Sequence, residues 1–340
     1  MIKIFKNPWL IFTCLIYYTV LLPWQITWLP ITLGMMVTGL FWLLGLEFKA
    51  KLTRLSGNIA ASLLFLVYLS IAVGAIYSPE PAEAAKELFT KVPLLAWPFL
   101  LSTIPGYKQP KIDLLLHIFI LSSVLSCLVA FGYAFWRYSQ DANPAYFFFN
   151  ELLSLTRVSA HYMGMYLSFA YGLVLYRLLD GRPLLKNGVL NVLMLIILSL
   201  SIVLVSVRMQ YLIFILINVV MLARLFRKTE DRKKAWSWLV GMLAVFTLLI
   251  WLLPGSRQRI IDTYHEIRSA EEMVENKQTN PRKFLWGTGW GLIEDHFWLG
   301  TGTGAENKEL NRRLQEVDAV FWDGHGTYQL YEMRFNLHNA

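Results

Sequence analysis

Long apolar stretches alternate with short polar ones from the start of the chain to about residue 254. Nine apolar runs stand out: Trp9 to Leu22, Ile26 to Leu46, Ile59 to Tyr77, Leu88 to Ile104, Ile112 to Trp136, Tyr162 to Leu179, Val189 to Val205, Tyr211 to Leu222 and Trp236 to Leu253. A helix crossing about 30 Å of hydrocarbon needs about 20 mostly apolar residues, because all its backbone N–H and C=O groups must be satisfied within it. The pattern predicts about nine spans. The first and eighth runs are short, and the fourth carries Lys91, Pro93 and Pro98, so these three are expected to be tilted, broken or re-entrant. The expected fold is all-α: a polytopic helical bundle over residues 1–254, then a polar loop domain over 255–340, too long for an ordinary connection and partly helical.

The Lys and Arg residues orient the bundle, because short cytoplasmic loops carry their excess. One side receives Lys3 and Lys6, then Lys49, Lys51 and Arg54, then Lys108 and Lys111, then Arg177, Arg182 and Lys186, then the run from Arg224 to Lys234. That side is expected to be cytoplasmic, with the N-terminus on it. The opposite loops are poor in positive charge: Pro23 to Pro30 has none, Ser78 to Glu87 is net acidic, and the next two contribute Arg137, Arg157 and Arg208. The segment 255–340 then falls outside, as an extracytoplasmic domain. The start imitates a signal peptide, but no small-x-small cleavage site follows, so a retained first helix is expected.

Composition agrees with a membrane chain. Of 340 residues, 56% are hydrophobic and only 16% charged, too apolar for a water-facing surface. The net charge of +8 does not imply nucleic acid, because the basic residues lie in short runs between spans and not along one face. Cys14 and Cys127 sit inside apolar runs, where a thiol acts as a small hydrophobe, so neither a disulfide framework nor a zinc site is expected. Trp24, Trp28, Trp97, Trp136 and Trp251 fall near span ends, as amphipathic rings do at a membrane interface.

Against this background a few polar residues carry candidate chemistry. Arg208, in Ser206-Val207-Arg208-Met209-Gln210, lies between two apolar runs with almost no loop. A guanidinium there costs several kcal/mol, on the order of 3. It is either an arginine snorkelling from a helix end or part of an anion site, where its planar fork suits phosphate. Farther on come Arg282, Trp286, the glycines of Gly287-Thr288-Gly289-Trp290-Gly291, and Leu299-Gly300-Thr301-Gly302-Thr303-Gly304. A nucleotide loop is rejected, since no strand precedes these glycines and no Gly-Lys-Ser/Thr closes them. Turns after an aromatic-faced helix are expected instead. Asp323-Gly324-His325-Gly326 reads as a turn. His265, His296, His325 and His338 taken singly are read as structural or exposed. With no ligand-spaced His or carboxylate pairs, no metal site is expected.

Taken together, these residues resemble the O-antigen ligases and Wzy-type polymerases. The likeness rests on Arg208 after Ser206 in a helix-loop-helix, on Arg282-x-x-x-Trp286 leading to the apolar-Gly-x-Gly segment Leu299 to Gly304, and on Leu337-His338-Asn339. Ala160-His161-Tyr162 is similar to the family's His-Pro-x-Tyr stretch, with Ala160 where proline is common and the His shifted. The likeness runs from Arg157 to the chain end.

The resemblance implies transfer of a glycan from undecaprenyl pyrophosphate to an acceptor hydroxyl, with lipid A-core as the ligase acceptor, outside the cytoplasm and without cofactor or metal. It implies pyrophosphate held by Arg208 and Arg282, His338 as catalytic base, and inversion at the anomeric carbon. Arg157 and His161 are further candidates. A polymerase or a protein O-oligosaccharyltransferase would use the same donor site with another acceptor. A transporter would place charges near the midplane of several spans, and a non-catalytic scaffold is the other competing class. The family continues after His-Asn with further spans, whereas this sequence stops at Ala340, so a chain truncated just after that motif is expected.

Overall fold

The computed structural model describes residues 8–25, 29–45, 47–103, 109–228, 232–262, 264, 281–317, 320–322 and 327–329. Each of the nine apolar runs forms a helix. In chain order the helices are α1 (Pro8–Leu21), α2 (Leu29–Leu44), α3 (Phe48–Ser56), α4 (Ile59–Ile76), α5 (Pro81–Thr103), α6 (Gln109–Asp141), α7 (Ala160–Leu179), α8 (Gly188–Val205), α9 (Arg208–Lys228) and α10 (Arg232–Leu252). Then come α11 (Pro254–Asp262), α12 (Pro281–Asp295) and α13 (Glu306–Val317). A short antiparallel pair, β1 (Val320–Trp322) and β2 (Thr327–Gln329), departs from the all-helical expectation, with Trp322 opposite Thr327. The four residues from Asp323 to Gly326, expected as a turn, lie outside the described residues.

Among the described residues, four helices are long and apolar enough to cross a membrane: α4, α6, α8 and α9. The count rises to as many as six if each of two bent helix pairs is one span. The molecule is a helical membrane protein. Two expectations change. The fourth run is not broken at its prolines, because α5 continues through Pro93 and Pro98, and Lys91 pairs with Glu87 at 2.8 Å one turn earlier. Within a membrane, neighbouring helices re-satisfy backbone groups that a proline frees. The eighth run is not short, since its polar flanks continue the helix from Arg208 to Lys228.

The chain forms two compact units, Met1–Gly45 with Gly106–Thr263, and Leu46–Pro105 with Tyr264–Ala340. In the first, α6 to α10 enclose a core of fully buried Ile120, Leu167, Tyr171, Leu198, Ile202 and Phe214. Small residues permit close approach: a Cβ on Gly164 of α7 would lie 2.6 Å from Gln210 Cγ of α9. Several polar side chains between these helices are paired, which offsets the cost of burying them. Ser168 donates to Gln210 Oε1 at 2.8 Å, and Tyr171 to Asn218 Oδ1 at 2.9 Å. Cys127 is buried and Cys14 partly so, both as free thiols.

The two ends of this unit differ. At one end, where α6 begins and α7 and α9 finish, Arg177 pairs with Asp113 at 2.6 Å and Arg224 with Asp180 at 3.0 Å. The other end carries the finish of α6 and α8 and the start of α7 and α9. There Arg137 is engaged by Glu151 at 2.9 Å and stacks over Tyr146, 3.6 Å from the ring centre.

In the second unit α4 and α5 form an antiparallel hairpin. Asn58 caps α4, its side chain accepting from Ala61 N at 3.2 Å, and Arg54 donates to the Thr103 carbonyl at 3.0 Å. Leu63, Leu66, Val73 and Ile76 of α4 are all exposed, an apolar face that suits lipid and not water. The helices α12 and α13 close over Leu285, Leu292, Leu310 and Leu314, all buried.

Candidate functional site

The break between α8 and α9 is built around one carbonyl. Ser206 ends α8 in the left-handed region at φ 53°, which reverses the chain with almost no loop. The Val203 carbonyl, left without a helical partner by this ending, accepts from Ser206 N at 3.1 Å, Ser206 Oγ at 2.9 Å, Ser256 Oγ at 2.8 Å and Tyr211 OH at 3.0 Å. Ser206 and Ser256 also meet at 3.1 Å, and both are buried. Ser256 lies in α11, which turns 91° from α10 at Pro254. A Cβ on Gly255 would reach within 2.5 Å of the Phe148 ring, so glycine is needed where the chain turns.

Arg208 follows directly as the first residue of α9, half-buried. The first turn of α9 contains no acidic residue. A helix start carries about half a positive charge and points its N–H groups outward, so guanidinium and helix end attract an anion together. Arg282 occupies the same kind of place in the other unit, second residue of α12, where Pro281 starts the helix and the first turn again has no acid. The Arg282 side chain is outside the described residues, as are His338, its neighbours Leu337 and Asn339, and His265 and His325.

Around the Arg208 end, His161 is exposed in the first turn of α7, edge-on to Phe149 with ring centres 6.0 Å apart. Arg259 of α11 lies over the other partner of that contact, 4.4 Å from the Phe149 ring centre. Arg157 is exposed at φ 55°, an uncommon backbone for arginine. The structure therefore brings His161 and Arg259 to one aromatic ring and places Arg157 on the connection just before α7. Among the described residues no three His, Cys, Asp or Glu side chains gather as a metal site would need.

The glycine segment 299–304 is a docking turn. Gly300, Gly302 and Gly304 have φ of 70°, 90° and 81°. Thr303 N donates to the Gly74 carbonyl at 3.1 Å and its hydroxyl to the Ile71 carbonyl at 2.7 Å, joining the turn to α4. A Cβ on Gly302 would sit 2.8 Å from Ser78 Cα, and one on Gly304 2.7 Å from the backbone at Glu83 and Ala84.

Residues 192–330 match the family model described as O-antigen ligase. That segment is similar to the O-antigen ligase family. The matched stretch runs from α8 to just beyond β2, and holds Arg208, Arg282, Trp286 and the docking turn; Arg157, His161 and His338 lie outside it. For an O-antigen ligase, the family implies a glycan-transferring enzyme that works on glycans in a membrane lipid environment. No curated protein and no solved structure matches the chain. Sequence reasoning found Arg208 but missed Ser256 and Arg259, which reach its end of the unit only because α11 folds back. No local spacing signals that return.

Proposed function

We propose that the protein is an O-antigen ligase that moves a glycan from undecaprenyl pyrophosphate to a hydroxyl of lipid A-core on the periplasmic face of the inner membrane. The observation that carries this reading is the placing of Arg208 and Arg282, both inside the ligase-family segment, each in an acid-free first turn of a helix. Such an end, with a guanidinium added, suits a pyrophosphate. The proposed architecture has nine spans, residues 1–254 in the membrane, 255–340 outside, and a cytoplasmic N-terminus. The ion pairs of Arg177 and Arg224 then belong to the cytoplasmic end, and Arg208 to the periplasmic one.

The chemistry on this reading is an inverting displacement. The acceptor hydroxyl oxygen attacks the anomeric carbon while neutral His338 takes its proton. The bond from that carbon to the pyrophosphate oxygen breaks on the opposite face, and its electron pair leaves with the pyrophosphate. Arg208 and Arg282 offset the charge that grows on the departing oxygen. The side chains supply base and charge stabilisation, so the reaction requires neither metal nor cofactor. Arg157 and His161, on the same end as Arg208, are proposed to contact the donor beyond its phosphates.

The test presents an undecaprenyl-pyrophosphate glycan to the chain with three acceptors in turn: lipid A-core, a second lipid-linked glycan, and a Ser-containing peptide. Transfer to lipid A-core with inverted anomeric configuration by NMR supports the ligase reading. Transfer only to the second glycan or to the peptide makes it a polymerase or a protein O-oligosaccharyltransferase. Retained configuration refutes the single displacement.

A further inference from the structure

The helix α12 carries two stripes at helical spacing. Leu285, Gly289 and Leu292 are buried on the side of α13, whereas Trp286, Trp290, Ile293 and, two residues past the helix, Phe297 are all exposed. Exposed aromatics in such a row call for an occupant, because burying each ring is worth more than almost any other side chain. They are not on a flat face. Trp286, Trp290 and Phe297 line a hollow of about 520 Å³, whose rim is polar: His296, Thr301 and Glu306. The Trp290 ring is held in place by its indole N–H, which donates to Glu294 Oε1 at 2.7 Å.

A second hollow, about 640 Å³, shares His296 and Thr301 with the first. Its walls are different in kind, with Glu80, Glu309, Asn311, Arg312 and Gln315 among them. Several of these side chains are fixed by one another: Lys308 pairs with Glu80, and Arg312 with Glu309 at 2.5 Å. The two hollows thus form one strip with aromatic plates at one end and planar carboxylate, amide and guanidinium groups at the other. Each is in the size range of small-ligand clefts, about 300–1,000 Å³.

We infer that this strip binds the sugar chain of a glycan substrate, with Trp286 and Trp290 as stacking platforms and the groups around His296 and Thr301 reading its hydroxyls. A pyranose has one face of C–H bonds and an edge of hydroxyls. The C–H face is complementary to the negative face of an indole, and the hydroxyls to fixed planar acceptors and donors. A membrane surface would also accept tryptophans, but it has no use for a cleft beside them walled by amides and by paired carboxylate, ammonium and guanidinium groups. The inference rests on the proposed glycan chemistry and adds a sugar-binding strip that begins at Trp286, one turn along α12 from Arg282.

The test uses the full chain in detergent or nanodiscs and, as probe, O-polysaccharide released from lipopolysaccharide by mild acid, which has no lipid and no pyrophosphate. Saturation-transfer NMR is expected to show sugar-ring protons in contact with the wild type, and Trp286→Ala or Trp290→Ala to weaken binding about tenfold each. Trp290→Phe, which keeps a stacking ring, is expected to bind within about threefold of wild type, and guards against loss by misfolding. Equal binding by wild type and both alanine variants overturns the inference. So does broadening of the fluorotryptophan signal of Trp290 in nanodiscs by a nitroxide on the lipid chains, which would put the strip in the bilayer. The two readings fail separately. Alanine variants that bind and transfer as wild type sink the strip alone, whereas sugar binding without any transfer from a lipid-linked donor sinks the ligase reading alone.

Discussion

Three glycines of the second unit separate backbone strain from steric contact. Gly304 has φ 81°, and an added Cβ would lie 2.7 Å from both Glu83 C and Ala84 N, backbone atoms that cannot rotate aside. Gly300 has φ 70° but nothing within 4 Å, and Gly287, inside α12, has neither constraint. The left-handed backbone costs a non-glycine about 1–2 kcal/mol, and forced overlap in a packed site about 1–3 kcal/mol more. Gly304→Ala should therefore destabilise the turn by about 2–5 kcal/mol, Gly300→Ala by about 1–2 kcal/mol, and Gly287→Ala should stabilise α12 by about 0.5–1 kcal/mol. The assay is amide exchange by mass spectrometry over residues 299–305, where the Thr303 N–H is held by Gly74. At about 1.4 kcal/mol per decade, Gly304→Ala should exchange at least about 30-fold faster, and Gly300→Ala about 5- to 30-fold. If Gly304→Ala exchanges no faster than Gly300→Ala, the turn does not rest on α5 as described.

Ser256→Ala removes a donor to the Val203 carbonyl and should cost about 0.5–1.5 kcal/mol in thermal unfolding; combined with Tyr211→Phe the loss should be non-additive, because both hydroxyls serve one acceptor. Gly164→Val drives a side chain into Gln210 Cγ and should cost about 1–3 kcal/mol and lower transfer, since Arg208 is two residues away; Gly132→Ala, with nothing within 4 Å, should do neither. The hydrogen bond from Arg312 holds the Glu309 carboxyl below its ordinary value of 4.5. A depressed folded pKa stabilises above the unfolded value and is lost as pH falls through the folded one, so α13 should become protease-sensitive only below the ordinary carboxylate range. Glu309→Gln should remove that pH dependence.

What the sequence revealed and what it hid follow from range. Hydrophobic runs are local, and all nine recur as helices, though some ends lie up to seven residues from those expected. The corrections concern residues at the margins of those runs. An apolar count stops at Tyr211 and Leu222, but Arg208 and Arg224 to Lys228 still favour helix and extend α9. Prolines 93 and 98 signal a break to a local reading, yet α5 keeps its course packed against α4. Arg208 was legible because an arginine between apolar runs is costly wherever it lies. Ser256 was not, being 50 residues from the Ser206 it meets. Trp286 and Trp290 read only as an aromatic helix face, because the hollow beside them is completed by His296, Thr301 and Glu306 after the chain turns.

The central claim is that two arginines at helix starts and one histidine perform glycan transfer from a lipid pyrophosphate. It is tested most directly by measuring transfer to lipid A-core by the wild type and by Arg208→Ala, Arg282→Ala and His338→Ala. Loss of one oriented charge or of the base should lower turnover by about 10² or more. The arginine variants should also bind undecaprenyl pyrophosphate more weakly, whereas His338→Ala should bind the donor and fail to transfer it. Wild-type rates in all three variants would contradict the account.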